Sequence, residues 1–178
     1  MVQSNLILPY RNVMPKFGKD VFVAPSASII GDVVLGDRVN IWFGTVLRGD
    51  MHEIRVGDRS NIQDNAVVHV AKGRSGTYIG AEVLIGHSAI IHACTIGDGA
   101  FIGMGSIILD QAVVEEGAMV AAGAMVTPGK RVKAGELWAG SPAKFFRKLT
   151  DDDYAGFKHA INDYLELAGD YLGLARQA

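Results

Sequence analysis

The chain is predicted to fold as an all-β solenoid, a parallel β-helix of hexapeptide repeats followed by one C-terminal α-helix. Three observations predict it. Large aliphatic residues recur six positions apart, with a few short insertions, from Val23, Ile29, Leu35, Ile41 and Leu47 through Val56, Ile62, Val68, Ile79, Ile85, Ile91 and Ile96 to Ile102, Ile108, Val114, Val120, Val126, Val132 and Trp138. Four residues after most of them stands a small or β-branched side chain, as at Ala27, Val39, Thr45, Ser60, Ala66, Ala89, Ala100, Ser106 and Ala118. A period of six with that pairing fits neither an amphipathic helix nor an alternating strand. It fits a β-helix, whose short strands each insert one large and one small residue into a narrow core. The third observation is a change of period after residue 150, described below.

Taken in order, residues 1–22 lead in and cover the first open end of the solenoid, since an uncapped coil exposes unpaired backbone groups. Residues 23–146 form the solenoid, and three repeats per coil give roughly six coils. Glycines such as Gly36, Gly57, Gly80, Gly86, Gly97 and Gly103 fall just after repeat aliphatics, where the chain turns a corner. Residues 150–175 form the helix. Thr150 is placed as N-cap, Asp151, Asp152 and Asp153 favour the positive end of the dipole, and Asp153 can close a capping box. Tyr154, Phe157, Ile161, Tyr164, Leu165, Ala168, Tyr171 and Leu172 then recur along one helical face. That face packs on the solenoid, its own or a neighbour's.

Composition narrows the function. A net charge of −2 over 178 residues gives no long-range attraction to nucleic acid or to an anionic membrane. No run of about 18 apolar residues offers a membrane span. The opening MVQSNLILPY lacks the charged and apolar regions of a secretory signal. The single cysteine, Cys94, excludes an intramolecular disulfide. A cytoplasmic protein is expected.

The repeat also supplies a register. Leu47, Val68 and Ile91 begin strands on one face in successive coils, so the next residues, Arg48, His69 and His92, form an outward column spaced by about 4.8 Å. Ile62 and Ile85 lie on another face, with Asp64 and His87 each two residues later in adjacent coils. Two imidazoles about 5 Å apart on a rigid sheet can grip one transition metal through bonds of about 2.0–2.1 Å. The third histidine, on a different face of a solid prism, cannot reach the same ion from within the chain. A head-to-tail interface closed by three-fold rotation would bring it there.

The segments RGD at 48–50, NIQDN at 61–65, VVHV at 67–70, IGHSAIIHACTIGDGAFIGMGS at 85–106 and LWAGSPAK at 137–144 resemble the γ-class carbonic anhydrase family over nearly the whole chain, and in particular its short bacterial branch. The resemblance implies a left-handed β-helix and a homotrimer with metal sites between subunits. It implies a lyase that hydrates CO2 reversibly to bicarbonate. By position, His69, His87 and His92 resemble the metal ligands, His87 coming from the adjacent subunit. Zn²⁺ is the expected metal, with Fe²⁺ or Co²⁺ acceptable to the same donors. Gln63 resembles the residue that hydrogen-bonds solvent or bicarbonate at the metal, and Asn61 and Tyr164 match positions lining that pocket. Arg48, Asp50 and Asp64 resemble an arginine–carboxylate cluster across the interface, where a salt bridge would fix the trimer register. Cys94, two residues past His92, is expected to be a packed side chain rather than a ligand.

The departures are informative too. Family members carry acidic residues that pass protons to solvent. Here Met51 follows Asp50, and residues 70–76 hold no carboxylate, which leaves Glu53 as the nearest relay. Activity is therefore expected to be weak. Two other functions stay open at this point. One is a non-catalytic, metal-stabilised trimeric scaffold or binding protein. The other is a hexapeptide-repeat acyltransferase, suggested by GSPAK at 140–144.

Overall fold

The computed structural model describes residues 6–175. It is a left-handed parallel β-solenoid of about seven turns with one C-terminal helix, Asp151–Ala175. Strands of successive coils pair in parallel along the whole stack, and the one antiparallel pairing between named strands joins the final strand, Lys144–Lys148, to Glu136–Ala139. The count exceeds the six coils expected because the lead-in is itself solenoid. Leu6–Leu8 pairs with Ser28–Ile30, and Lys16–Phe17 pairs with Val34–Leu35, so residues ahead of the repeat complete a first coil.

The repeat aliphatics point inward as the period requires. Ile29, Leu47, Ile62, Ile85, Ile91, Ile102, Ile108 and Val114 are fully buried, as are the small residues Ala66, Ala89, Ala112 and Ala118 that follow four of them. A core one side chain deep leaves no room for a bulky pair, hence the alternation of large and small. Corners are as constrained as the core. Asn65, Ser88 and Gly105 stack coil upon coil with φ of 60°, 58° and 64°, the left-handed bend that turns the chain. Just before that corner, a Cβ on Gly86 would lie 2.6 Å from the Met104 backbone nitrogen. Glycine there lets two coils close on each other and sets the height of the next residue, His87.

The three faces of the prism differ outside. On the second, the outward residues in register are Val34, Arg55, Tyr78, Thr95, Val113 and Arg131, a mixed column of polar and apolar side chains. The third carries Phe22, Leu84, Phe101 and Leu137, and the helix lies over much of it. Phe157, Ile161, Leu165 and Ala168 bury their side chains there, with Leu84 and Trp42 beneath them. The helix thus packs on its own solenoid. Thr150 and Asp153 form the expected reciprocal cap, each backbone N–H donating to the other's side chain. The first face has no such cover. Its outward column reads Val46, Val67, Ile90, Ile107 and Met125. Val67 and Ile90 are 39% and 40% exposed.

Among the described residues, no helix is long and apolar enough to cross a membrane.

Candidate metal centre

The register read from the repeat is the one the structure has. Leu47 pairs with Val68 and Val68 with Ile91, which sets His69 directly beside His92. Ile62 pairs with Ile85, and the Ser88 N–H donates to the Asp64 carbonyl, which places Asp64 and His87 at one corner in adjacent coils. His69 and His92 stand side by side on the bare face. His87 sits at the corner beyond the helix-covered face. Among the described residues, no group of three or more histidine, cysteine or acidic side chains converges to hold a metal within one chain.

The pair has the spacing that two ligands of one metal would need. His69 Nδ1 faces His92 Nε2 at 3.3 Å. Two nitrogens bonded to one tetrahedral zinc at about 2.0–2.1 Å lie about 3.3 Å from each other. The remaining nitrogen of each ring is held by a carboxylate, His69 Nε2 by Asp50 at 3.1 Å and His92 Nδ1 by Asp110 at 2.6 Å. His87 repeats the arrangement, with Nδ1 at 2.9 Å from Asp64 and Nε2 at 3.3 Å from the Tyr164 hydroxyl. A carboxylate behind a liganding imidazole fixes its tautomer and aim and raises its basicity. All three histidines have one.

The electrostatics agree. Burial pushes the His69 pKa below its ordinary value, against the pull of Asp50, and the Arg48 charge adds to the fall. The neutral ring that a metal needs is therefore the favoured form. Asp50 is itself partly desolvated, which raises its pKa, but hydrogen bonds from Arg48 and His69 and the Arg48 charge outweigh that and hold it ionised. Burial, then the Asp64 charge, raises the Tyr164 hydroxyl, which stays protonated.

Gln63 is buried at the same corner, and its Oε1 accepts the His87 backbone N–H at 3.2 Å. Its amide end is left to donate. Asn61 is fully buried two residues earlier. Arg48 pairs with Asp50 in its own chain, while Asp64 stands on a different corner, so an Arg48–Asp64 contact would have to join two chains. Cys94 lies in the core, its thiol pushed up to about 12 by burial, out of reach as a ligand. Glu53, the nearest candidate relay, accepts from the Tyr78 hydroxyl at 2.9 Å and from Arg55 at 2.6 Å. The residue that sequence reasoning missed is Asp110. Extending the Arg48, His69, His92 column by one coil leads to Leu109 and then Asp110, and the acidic side chain reaches back to His92.

The chain is similar to several known proteins. Residues 14–49 and 93–128 match the family described as Bacterial transferase hexapeptide (six repeats). The chain is 40% identical to the carbonic anhydrase of Geobacillus kaustophilus over 97% of this chain and 94% of that protein. It is 54% identical to the mitochondrial gamma carbonic anhydrase 2 of Arabidopsis thaliana over 86% of its own length, but spans only 57% of that plant protein. A solved structure of a hexapeptide transferase family protein from Anaplasma phagocytophilum is 51% identical and superposes with a TM-score of 0.89, covering 93% of this chain and 98% of that one.

Proposed function

The chain belongs to the γ-class carbonic anhydrase family of hexapeptide-repeat proteins, and on that basis we propose that it hydrates CO2 reversibly to bicarbonate at metal centres shared between the subunits of a homotrimer. The observation that carries this reading is the facing pair His69 and His92, 3.3 Å apart and each backed by a carboxylate, with His87 backed in the same way one face away. His87 and His92 belong to one coil, so a site built from both faces joins neighbouring subunits at equal height. Subunits then stand side by side with parallel axes. The exposed apolar column of Val67 and Ile90, and Met104 stacked beneath His87, are the surfaces such contacts would cover.

When bound, the metal supplies the Lewis-acid charge that makes water a nucleophile toward CO2 at neutral pH. Zn²⁺ suits three imidazoles, and Fe²⁺ or Co²⁺ would be accepted. The chain's own residues do the rest. Asp50, Asp64 and Asp110 aim the three rings. The Gln63 amide donates to an oxygen of bicarbonate or water without adding charge. Tyr164, neutral and against His87, closes the pocket from the helix side. With Glu53 engaged and Met51 next to Asp50, proton export is left to solvent and buffer. The acyltransferase alternative would need one of these histidines as a base beside a long groove for an acyl carrier, whereas the facing pair His69 and His92 with His87 one face away is better explained as a ligand set.

Elemental analysis of protein purified without added metal, followed by a CO2 hydration assay, tests the reading. About one metal per subunit is expected, with activity that rises through neutral pH and increases with imidazole buffer. A fully loaded trimer inactive at every buffer concentration would leave the scaffold reading in its place.

A further inference from the structure

The last coil of the stack is charged unlike the rest of the chain. Residues 130–148 hold six basic side chains, Lys130, Arg131, Lys133, Lys144, Arg147 and Lys148, against one acid, Glu136. That segment carries +5, so the remaining residues carry −7 of the total of −2. Arg131, Arg147 and Lys148 pair with Glu115, Asp153 and Glu136, whereas Lys130, Lys133 and Lys144 are exposed and form no ion pair among the described residues. Two aromatics share this end. The strand Lys144–Lys148 is the last of the third-face sheet. Its register slips against Glu136–Ala139, so Phe145 stands opposite Trp138, Arg147 opposite Leu137, and Phe146 between them has no partner. A bulge of this kind re-aims a side chain and blunts the edge against a further strand. Phe145 and Phe146 are 51% and 67% exposed. The C-terminal helix runs away from them, with Tyr171 against Phe22 at the other end of the sheet, and gives them no cover.

We propose that this end of the solenoid is a docking surface for an anionic lipid bilayer, with Phe145 and Phe146 seated between headgroups and acyl chains and Lys130, Lys133 and Lys144 on lipid phosphates. Aromatic rings favour that boundary, and each lysine close to an anionic leaflet adds to the attraction. Charge selects this occupant over others. A second copy would bring either the same +5 or the opposite end, where Arg11, Lys16 and Lys19 outnumber Asp20. A polyanion following the sides of the solenoid would meet the acidic remainder. A bilayer normal to the axis meets the end alone: coils are about 4.8 Å apart, so acids two or more coils away lie beyond the Debye length of about 8 Å. The net charge of the whole chain conceals this, because it averages over faces that a membrane never touches. In the proposed trimer, with its axes parallel, three such ends would share one plane and bind together.

Vesicle flotation of the full chain tests this. Binding is expected to phosphatidylcholine vesicles containing about one third phosphatidylserine, weakening as salt rises, and not to phosphatidylcholine alone. Lys133→Gln with Lys144→Gln should lower the partition coefficient about tenfold or more, whereas Lys16→Gln with Lys19→Gln, the same charge change at the opposite end, should alter it less than about twofold. Phe146→Ser should weaken binding as well. Phe146→Trp should shift to blue emission on the vesicles and be quenched by lipids brominated in their acyl chains, above the signal of Trp42 and Trp138. These positions are exposed, so the variants should fold, and circular dichroism checks that they do. No binding, equal binding to neutral vesicles, equal loss from both lysine pairs, or binding without quenching overturns the proposal. So does tighter binding to a single-stranded oligonucleotide than to vesicles at equal phosphate, which would make the end a nucleic-acid surface. Self-association in sedimentation that Phe146→Ser abolishes would overturn it too, in favour of a contact between copies. No measurement here reads metal or CO2 hydration, so its outcome is separate from that of the carbonic anhydrase reading.

Discussion

Two faces of the same prism carry apolar columns that the chain itself covers to different degrees. On the third face Leu84 and Trp42 are covered by the chain's own helix, through Phe157, Ile161, Leu165 and Ala168. On the first face Val67 and Ile90 occupy equivalent outward positions in the repeat and have no cover from their own chain. The proposed site divides along the same line, with His69 and His92 on the bare face and His87 beyond the covered one. One face is covered within the subunit, and in the proposed trimer the other would be covered by a neighbour. The comparison teaches that a solenoid can make a site conditional on assembly simply by withholding a cover.

The strongest way to break that comparison is to remove half of the bare face's histidine pair. His92→Ala should abolish stoichiometric metal binding and CO2 hydration while circular dichroism still reports a β-rich fold. Full metal retention would falsify the ligand assignment. Next, a charge placed on the bare column should act where one on the second face does not. Ile90→Asp should convert trimer to monomer by sedimentation and lose metal, and Thr95→Asp should change neither. Equal disruption by both would show that the bare face is not the interface. Asp110→Asn should leave assembly intact and weaken metal affinity about 10–100-fold, as loss of a carboxylate behind a ligand does. An unchanged affinity would mean that the 2.6 Å contact is incidental.

Mixing sharpens the comparison further. If His69 and His92 come from one chain and His87 from the next, neither His69→Ala nor His87→Ala trimers hold an intact site, but an interface with His69 and His92 from one variant and His87 from the other does. Co-refolded in equal amounts, they should recover about one quarter of wild-type metal, the fraction of competent interfaces in a randomly assorted closed ring. Zero recovery in mixed trimers confirmed by mass would place all three histidines within one chain. The smallest effect belongs to the covered face. Thr150→Ala removes one half of the helix cap and should cost about 1 kcal/mol in urea unfolding, with metal content unchanged.

How far the sequence could be read follows from what a hexapeptide period encodes. The period records inward residues, so the core from Ile29 to Val132 was legible, and with it the stacking of His69 on His92 and the offset of His87. The lead-in strands were not, because Leu6–Leu8 and Lys16–Phe17 lie on the outermost coil, where an edge strand needs no inward pair on its open side. Outward contacts were equally hidden. Asp110 meets His92 from 18 residues away, and Asn40 meets Asn61 from 21, separations set by coil length and insertions rather than by any local motif. Asp50 and Asp64 were expected mainly as members of an interfacial cluster. Their contacts with His69 and His87 arise from ring orientation, which a one-dimensional pattern does not carry.

The stack of seven coils also sets where the molecule opens. In a fold whose coils touch only their neighbours, disruption enters at the ends and advances one coil at a time. His69 lies in the fourth coil and His87 and His92 in the fifth, with Leu6–Leu8 at one end and the Lys144–Lys148 strand closing the other. Amide exchange should therefore be faster in the strands at the two ends of the stack and slowest around Val68, Ile85 and Ile91, because fraying must cross intact coils before it loosens a single imidazole.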